Sequence, residues 1–176
     1  MMRRVVITGV GAVTPIGNTV KEMWAGVREG KCGIDKITKY DISNRKVKVA
    51  AEVKNLPVEE LVDKHDLRKM DLFCTFAMIA ADEAIADSGL SFEGEEDKCG
   101  VIVSSGIGGI STIEKEYSKG LEKGFDRVSP YFIPSVITNM AAGRIAIKHN
   151  LQGMCSCVVT ACAGGTNAVG DSFRQI

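Results

Sequence analysis

The residues of this chain best suited to chemistry lie in the run Cys157-Val158-Val159-Thr160-Ala161-Cys162-Ala163-Gly164-Gly165-Thr166. An apolar strand ends there, a turn of small residues follows, and a helix begins. Cys162 falls at the turn. The free N–H groups and positive dipole end of a helix favour an anionic sulfur at such a place. The same N–H groups can donate to the oxyanion formed when an acyl carbonyl is attacked. Ala161, Ala163, Gly164 and Gly165 carry little or no side chain, so the turn can be sharp and a substrate can come close. This is the plan of a hydrolase nucleophile elbow, built with sulfur in place of a hydroxyl. Locally the pattern fits a small core cysteine between two alanines equally well, since short apolar strands ending in Ala and Gly are common.

Other chemistry is sparse. The six cysteines, Cys32, Cys74, Cys99, Cys155, Cys157 and Cys162, contain no C-x-x-C pair and none of the paired spacing of a zinc site, so no metal is expected. Without a secretion signal, disulfides are not expected either. Of the two histidines, His65 sits among Lys64, Asp66, Arg68 and Lys69 and reads as a solvated side chain, while His149 ends a helix, where a cation complements the dipole. Gly9 and Gly11 begin a G-x-G, but Thr14 stands where the third glycine of a dinucleotide fingerprint belongs, and no phosphate-binding G-x-x-x-x-G-K-S/T occurs.

The chain of 176 residues is 45% apolar and 25% charged with a net charge of zero, as for one soluble globular domain. The even balance argues against nucleic acid as a partner. No apolar run approaches the roughly 20 residues that span a bilayer, so no membrane is expected. The opening MMRRVVITGVGAVTP has two arginines before an apolar stretch. That stretch is short, glycine-punctuated and rich in β-branched residues, with no small-residue cleavage site after it. It reads as a buried first strand over 4–10, in a cytoplasmic protein.

The elements that must position Cys162 alternate between apolar runs and helical patterns, which predicts an α/β domain with a mixed sheet and covering helices. A helix is expected over 19–29, opened by the capping box of Thr19 and Glu22, with Val20, Met23, Trp24 and Val27 on one face and Gly30 as its stop. A short strand is expected over 47–53, a short helix from Pro57 to about His65, and a long helix over 71–87 with Leu72, Phe76 and Ile79 on its buried side. A strand over 98–104 runs into Gly106-Ile107-Gly108-Gly109 and a polar helix over 111–123. Pro130 and Pro134 bracket a loop. Beyond it lie a helix over 135–148 stopped by Asn150, a last strand over 155–160, and a helix starting near Ala163.

Five segments occur in order along the chain: VVITGVGAVTPIGNTV, RKMDLF, SSGIGGI, SPYFIPSVITNMAAGRIAI and VVTACAGGTNAVG. Together they resemble the elongating β-ketoacyl carrier-protein synthases of dissociated fatty-acid synthesis, and the SSGIGGI and SPYFIP forms are closer to the type II members. The resemblance covers residues 3–176. It implies a thiolase-like αβαβα fold, of which residues 1–176 form an incomplete amino-terminal half that stops just after the nucleophile strand, turn and helix.

The resemblance also implies roles. Cys162 would accept an acyl group from carrier-protein phosphopantetheine as a thioester, and malonyl carrier protein would lose carbon dioxide and attack it. Ile107 corresponds to a gate residue lining the acyl pocket, and Phe132 and Ile133 to residues near a dimer contact at the far end of the acyl chain. Lys64, Arg68, Lys69 and Arg127 would steer an acidic acyl carrier protein. No cofactor is implied, since phosphopantetheine arrives on the substrate, and a homodimer is. The family's two histidines, its lysine and the phenylalanine loop giving a second oxyanion donor lie beyond these residues, so this piece alone is expected neither to condense substrates nor to fold well. The alternatives are a coenzyme A-dependent thiolase relative, whose nucleophile segment differs, and a non-catalytic partner subunit, which typically lacks the cysteine.

Overall fold

The structure is a computed structural model and describes residues 4–176. Its centre is helix α4 (Leu72–Ser88), packed against helix α7 (Met140–His149). Cys74, Met78 and Ile79 of α4 meet Ala141 and Ile145 of α7, with Val62 and Met70 closing the cluster. Two alanines (Ala141, Ala142) with no exposed surface let the helices approach closely. Leu72, expected on the buried side, is instead exposed, because the buried face of α4 runs through Cys74, Thr75, Met78 and Ile79.

Against α7 lies a parallel pair of strands, β3 (Val101–Ser104) and β4 (Cys155–Val158), in the register Val101↔Cys155 to Ser104↔Val158. Both are shorter than expected: residues 96–98 form a 3₁₀ turn before β3, and β4 ends before Val159. Helix α8 (Gly164–Gln175) follows β4 and packs on β3. A second, antiparallel ladder joins β1 (Ile34–Lys36), which the sequence pattern did not reveal, to β2 (Val49–Ala51), the core of the strand expected over 47–53.

The first strand expected over 4–10 is not formed among the described residues. Residues 4–13 carry no ladder, and Val6, Ile7 and Val10 are exposed. Neither β3 nor β4 pairs with this segment, and without a neighbouring edge its apolar side chains have no sheet to join. It is held by carboxylates of α4 instead: Val10 N–H donates to Asp87 and Ala12 N–H to Glu83 at 3.0 and 2.9 Å. The alternate N–H groups of an extended chain thus match side chains one helical turn apart. Gly9 and Gly11 make this possible, because a Cβ at either would fall 2.1 or 1.8 Å from the Ala84 or Ala80 carbonyl oxygen. The G-x-G is a packing device.

Helix α1 (Val20–Glu29) follows its sequence signals. Thr19 caps it by accepting from Glu22 N–H, Glu22 accepts from Asn18 N–H, and Gly30 ends it with φ +67°. Its Trp24 and Val27 face remains exposed. The helix expected from Pro57 is two single turns, α2 (Val58–Leu61) and α3 (Lys64–Leu67), because Asp63 turns back to cap His65 N–H and starts afresh.

Helix α5 (Ile110–Lys123) follows the glycine loop as expected. The stretch expected as a loop between prolines is the short helix α6 (Phe132–Val136). Pro134 sits in its first turn, where an N–H is unpartnered anyway. The helix expected over 135–148 is interrupted at 137–139 for a specific reason. The Val136 carbonyl accepts from Gly109 N–H at 2.9 Å, so Met140 N–H turns to Ile137 instead and α7 starts there.

Candidate active site

Cys162 lies between β4 and α8 and is exposed. The turn is strained where it matters. Ala161, the residue before it, has φ +47°, a left-handed conformation that a side chain disfavours. A 3₁₀ turn over 161–163 then delivers the chain into α8, with Ala163 N–H and Gly164 N–H donating to the Thr160 and Ala161 carbonyls. No side chain caps α8, whose first turn follows Cys162 closely in the chain.

The helix approaches β3 as closely as atoms allow. A Cβ on Gly164 would stand 1.8 Å from Ser104 Oγ, so glycine is required for α8 to rest on the end of β3. This contact links the Cys162 turn to the next segment, since Ser104 is three residues before Ile107.

Ile107 projects from the loop joining β3 to α5 and is exposed. Gly108, with φ +76°, and Gly109 press that loop against α6: their added Cβ atoms would meet the Val136 and Ser135 carbonyls at 2.1 and 2.5 Å. Phe132, half-buried, and Ile133, exposed, both belong to α6, which packs on α5. The glycine loop and the Phe132–Ile133 helix are therefore neighbours. Two clefts among the described residues lie elsewhere. One of about 650 Å³ is lined by the 14–18 loop, α1, Lys31–Gly33, Asp35 and Lys54–Asn55; the second lies between Asn18–Thr19, Leu61 and α4.

Three of the four basic candidates fall on one short stretch. Lys64 is exposed but paired with Glu59 at 3.3 Å. Arg68, at the end of α3, is exposed. Lys69 Nζ stands 5.1 Å over the Tyr131 ring and 3.3 Å from His65 Nδ1. Arg127 is exposed on a separate turn, four residues before Tyr131. The segment leading into α6 thus lies between Arg127 and Lys69.

Neither histidine approaches the sulfur through these contacts: His65 faces solvent beside Lys69, and His149 Nε2 lies 2.8 Å from an Asp82 oxygen at the end of α7. No cluster of three or more His, Cys, Asp or Glu side chains that could hold a metal occurs among the described residues. No helix among them is long and apolar enough to cross a membrane.

The sequence reading missed Asp71. This buried carboxylate caps α4 through Phe73 N–H and accepts both the N–H and hydroxyl of Thr112, at 2.8 and 2.7 Å, on the first turn of α5. An aspartate opening an apolar helical run signals the cap, but its second partner, 41 residues away, leaves no local trace.

Comparison with known proteins agrees with this geometry. Residues 2–176 match the β-ketoacyl synthase N-terminal domain. The 3-oxoacyl-(acyl-carrier-protein) synthase 2 of Synechocystis sp. is 43% identical over 175 residues, which is 99% of this chain and 42% of that protein. A β-ketoacyl synthase from Burkholderia phymatum superposes with a TM-score of 0.79 at 24% identity, over 99% of this chain and 44% of that one. A ketosynthase solved in complex with its type II PKS acyl-carrier protein superposes with a TM-score of 0.77 at 21% identity, over 99% of this chain and 46% of that one. The fold is that of ketosynthases, and the chain spans less than half the length of each of these proteins.

Proposed function

Because the chain belongs to the β-ketoacyl synthase N-terminal domain family, we propose that it supplies the acyl-accepting part of a 3-oxoacyl-(acyl-carrier-protein) synthase of the second type. The observation that carries this reading is an exposed Cys162 on a strained strand-to-helix turn, at the start of a helix with no side-chain cap.

In the first half-reaction the Cys162 sulfur attacks the acyl thioester of the carrier's phosphopantetheine arm. The new carbon–sulfur bond forms as the old one breaks, and the carrier thiol leaves with the proton given up by Cys162. The backbone N–H of Cys162 donates to the carbonyl oxygen as it gains charge. In the second, malonyl carrier protein loses carbon dioxide. The electron pair of that bond becomes an enolate, whose carbon attacks the acyl thioester and releases the Cys162 thiolate. Ile107, Phe132 and Ile133 line the acyl chain's path, and Lys64, Arg68, Lys69 and Arg127 receive the acidic carrier protein. The groups assisting decarboxylation come from outside these residues, since His65 and His149 are engaged elsewhere. Residues 1–176 alone therefore make no 3-oxoacyl product. The reading needs no bound cofactor and includes a homodimer acting in the cytoplasm.

The test uses the full-length protein carrying this chain, supplied with acyl and malonyl carrier protein. Release of carbon dioxide and formation of a 3-oxoacyl carrier protein are expected, with product lost in Cys162→Ala. Product formation that survives Cys162→Ala contradicts the proposal.

A further inference from the structure

The turn that carries the basic candidates is bonded to both segments that carry the acyl-path candidates. On one side Lys69 Nζ stands over Tyr131, at the start of the helix bearing Phe132 and Ile133. On the other, two residues along the chain, Asp71 binds the first turn of α5, directly after the loop bearing Ile107. From below, Arg144 of α7 donates to the Lys69 carbonyl at 3.1 Å and pairs with Asp66 at 3.5 Å.

Asp71 is the tightest of these joints. It is 7% exposed, and its two oxygens accept three hydrogen bonds, one from its own helix α4 and two from Thr112 of α5. Bonds to an ionised acceptor are the stronger class, and losing one inside the protein is felt in full. Gly109 rests on it as well, since a Cβ there would meet Asp71 Cβ at 2.9 Å and the Ser135 carbonyl at 2.5 Å. The loop holding Ile107 is therefore clamped between Asp71 and α6, and is braced within by bonds from Gly108 N–H to Ser105 Oγ and from Ile110 N–H to the Gly108 carbonyl. Aspartate is required for this pattern. An asparagine has one acceptor oxygen and would turn an NH₂ group toward a backbone N–H.

We propose that Asp71, with Thr112 as its partner, is a positioning residue that fixes the Ile107 loop relative to the carrier-binding turn, and so sets discrimination between long and short acyl chains. The proposal rests on the functional reading above, in which Ile107 lines the acyl path. A clamp of this kind acts where the chain must pass Ile107 and is felt little by an acyl group too short to reach it. Its signature is a chain-length-dependent loss, distinct from general damage.

The experiment measures transfer of a two-carbon and a long-chain acyl group from carrier protein to Cys162 in the full-length protein, for wild type, Asp71→Asn, Thr112→Val and Thr112→Ser. Alkylation of Cys162 by iodoacetamide reports that each variant retains its elbow. Expected is a change of about tenfold in the long-to-short ratio of kcat/KM for Asp71→Asn. A smaller change in the same direction is expected for Thr112→Val, and restoration in Thr112→Ser, which keeps both donors. Thr112→Val deletes one hydroxyl and keeps the backbone bond, so it carries the test if Asp71→Asn does not fold. An unchanged ratio in a variant whose Cys162 still alkylates overturns this proposal alone. A wild-type protein that accepts no acyl group overturns the functional reading and this proposal with it.

Discussion

Two cysteines show how differently this fold treats one side chain. Cys74 lies in α4 facing α7, with no exposed surface, and burial pushes its thiol up to about 12. Cys162 is exposed on a turn of alanines and glycines, at the start of a helix with no side-chain cap. The first packs against Met78 and Ala141 and behaves as a small hydrophobe. In the proposed reading the second is kept accessible by the small residues around it, and Gly164 among them also brings α8 onto β3.

The comparison breaks most decisively at the cysteines themselves. Cys162→Ala is expected to abolish acyl-enzyme formation with little change in stability. Cys74→Ala keeps acylation but lowers unfolding free energy by about 1–2 kcal/mol through the cavity it leaves; the check is denaturant unfolding alongside acylation rates. Next in size is Gly164→Ala. Its Cβ would collide with Ser104 Oγ, so α8 must lift from β3 and the sulfur moves with it. Cys162 acylation should fall by about 100-fold, as for a misplacement near 1 Å. Ser104→Ala in the same protein restores part of the loss, because the Ser104 Cβ remains 2.9 Å away.

A pH series sharpens the contrast further. A thiol whose value is raised from 9.0 to about 12 on folding stays protonated in the native state while the unfolded chain loses its proton above 9. Its contribution is complete below 9 and lost as pH climbs toward 12, so stability should fall across that window by up to about 1.4 kcal/mol per unit. Cys74→Ala should flatten that slope, as urea titrations at stepped pH will show. The smallest effects belong to the basic side chains. Arg68→Glu with Lys69→Glu should raise KM for carrier-protein substrates several-fold, more at low salt, and leave iodoacetamide alkylation of Cys162 unchanged. Lys64→Ala should do least, because Glu59 already neutralises it.

What the sequence showed of this architecture depended on how local each cause was. The cap of α1, its Gly30 stop and the strand–turn–helix around Cys162 depend on residues within a few positions of one another, and they were legible. The end of α6 was not. It breaks because Gly109, 27 positions before Val136, takes a carbonyl that would continue the helix. The opening segment has the composition of a strand, yet the N–H groups of Val10 and Ala12 at its end go to Asp87 and Glu83, and nothing in VVITG tells of those partners. At the candidate site, small residues around a cysteine pointed to Cys162, whereas Asp71 was hidden because its meaning lies in Thr112, which belongs to another helix.

The most direct test asks which sulfur carries the substrate. Folded full-length protein is incubated with an acyl carrier-protein thioester, digested, and all six cysteines are mapped by peptide mass spectrometry. A single acyl adduct on Cys162, with Cys74 unmodified, is the predicted outcome. An adduct on Cys32, Cys99, Cys155 or Cys157 with Cys162 left bare would contradict it.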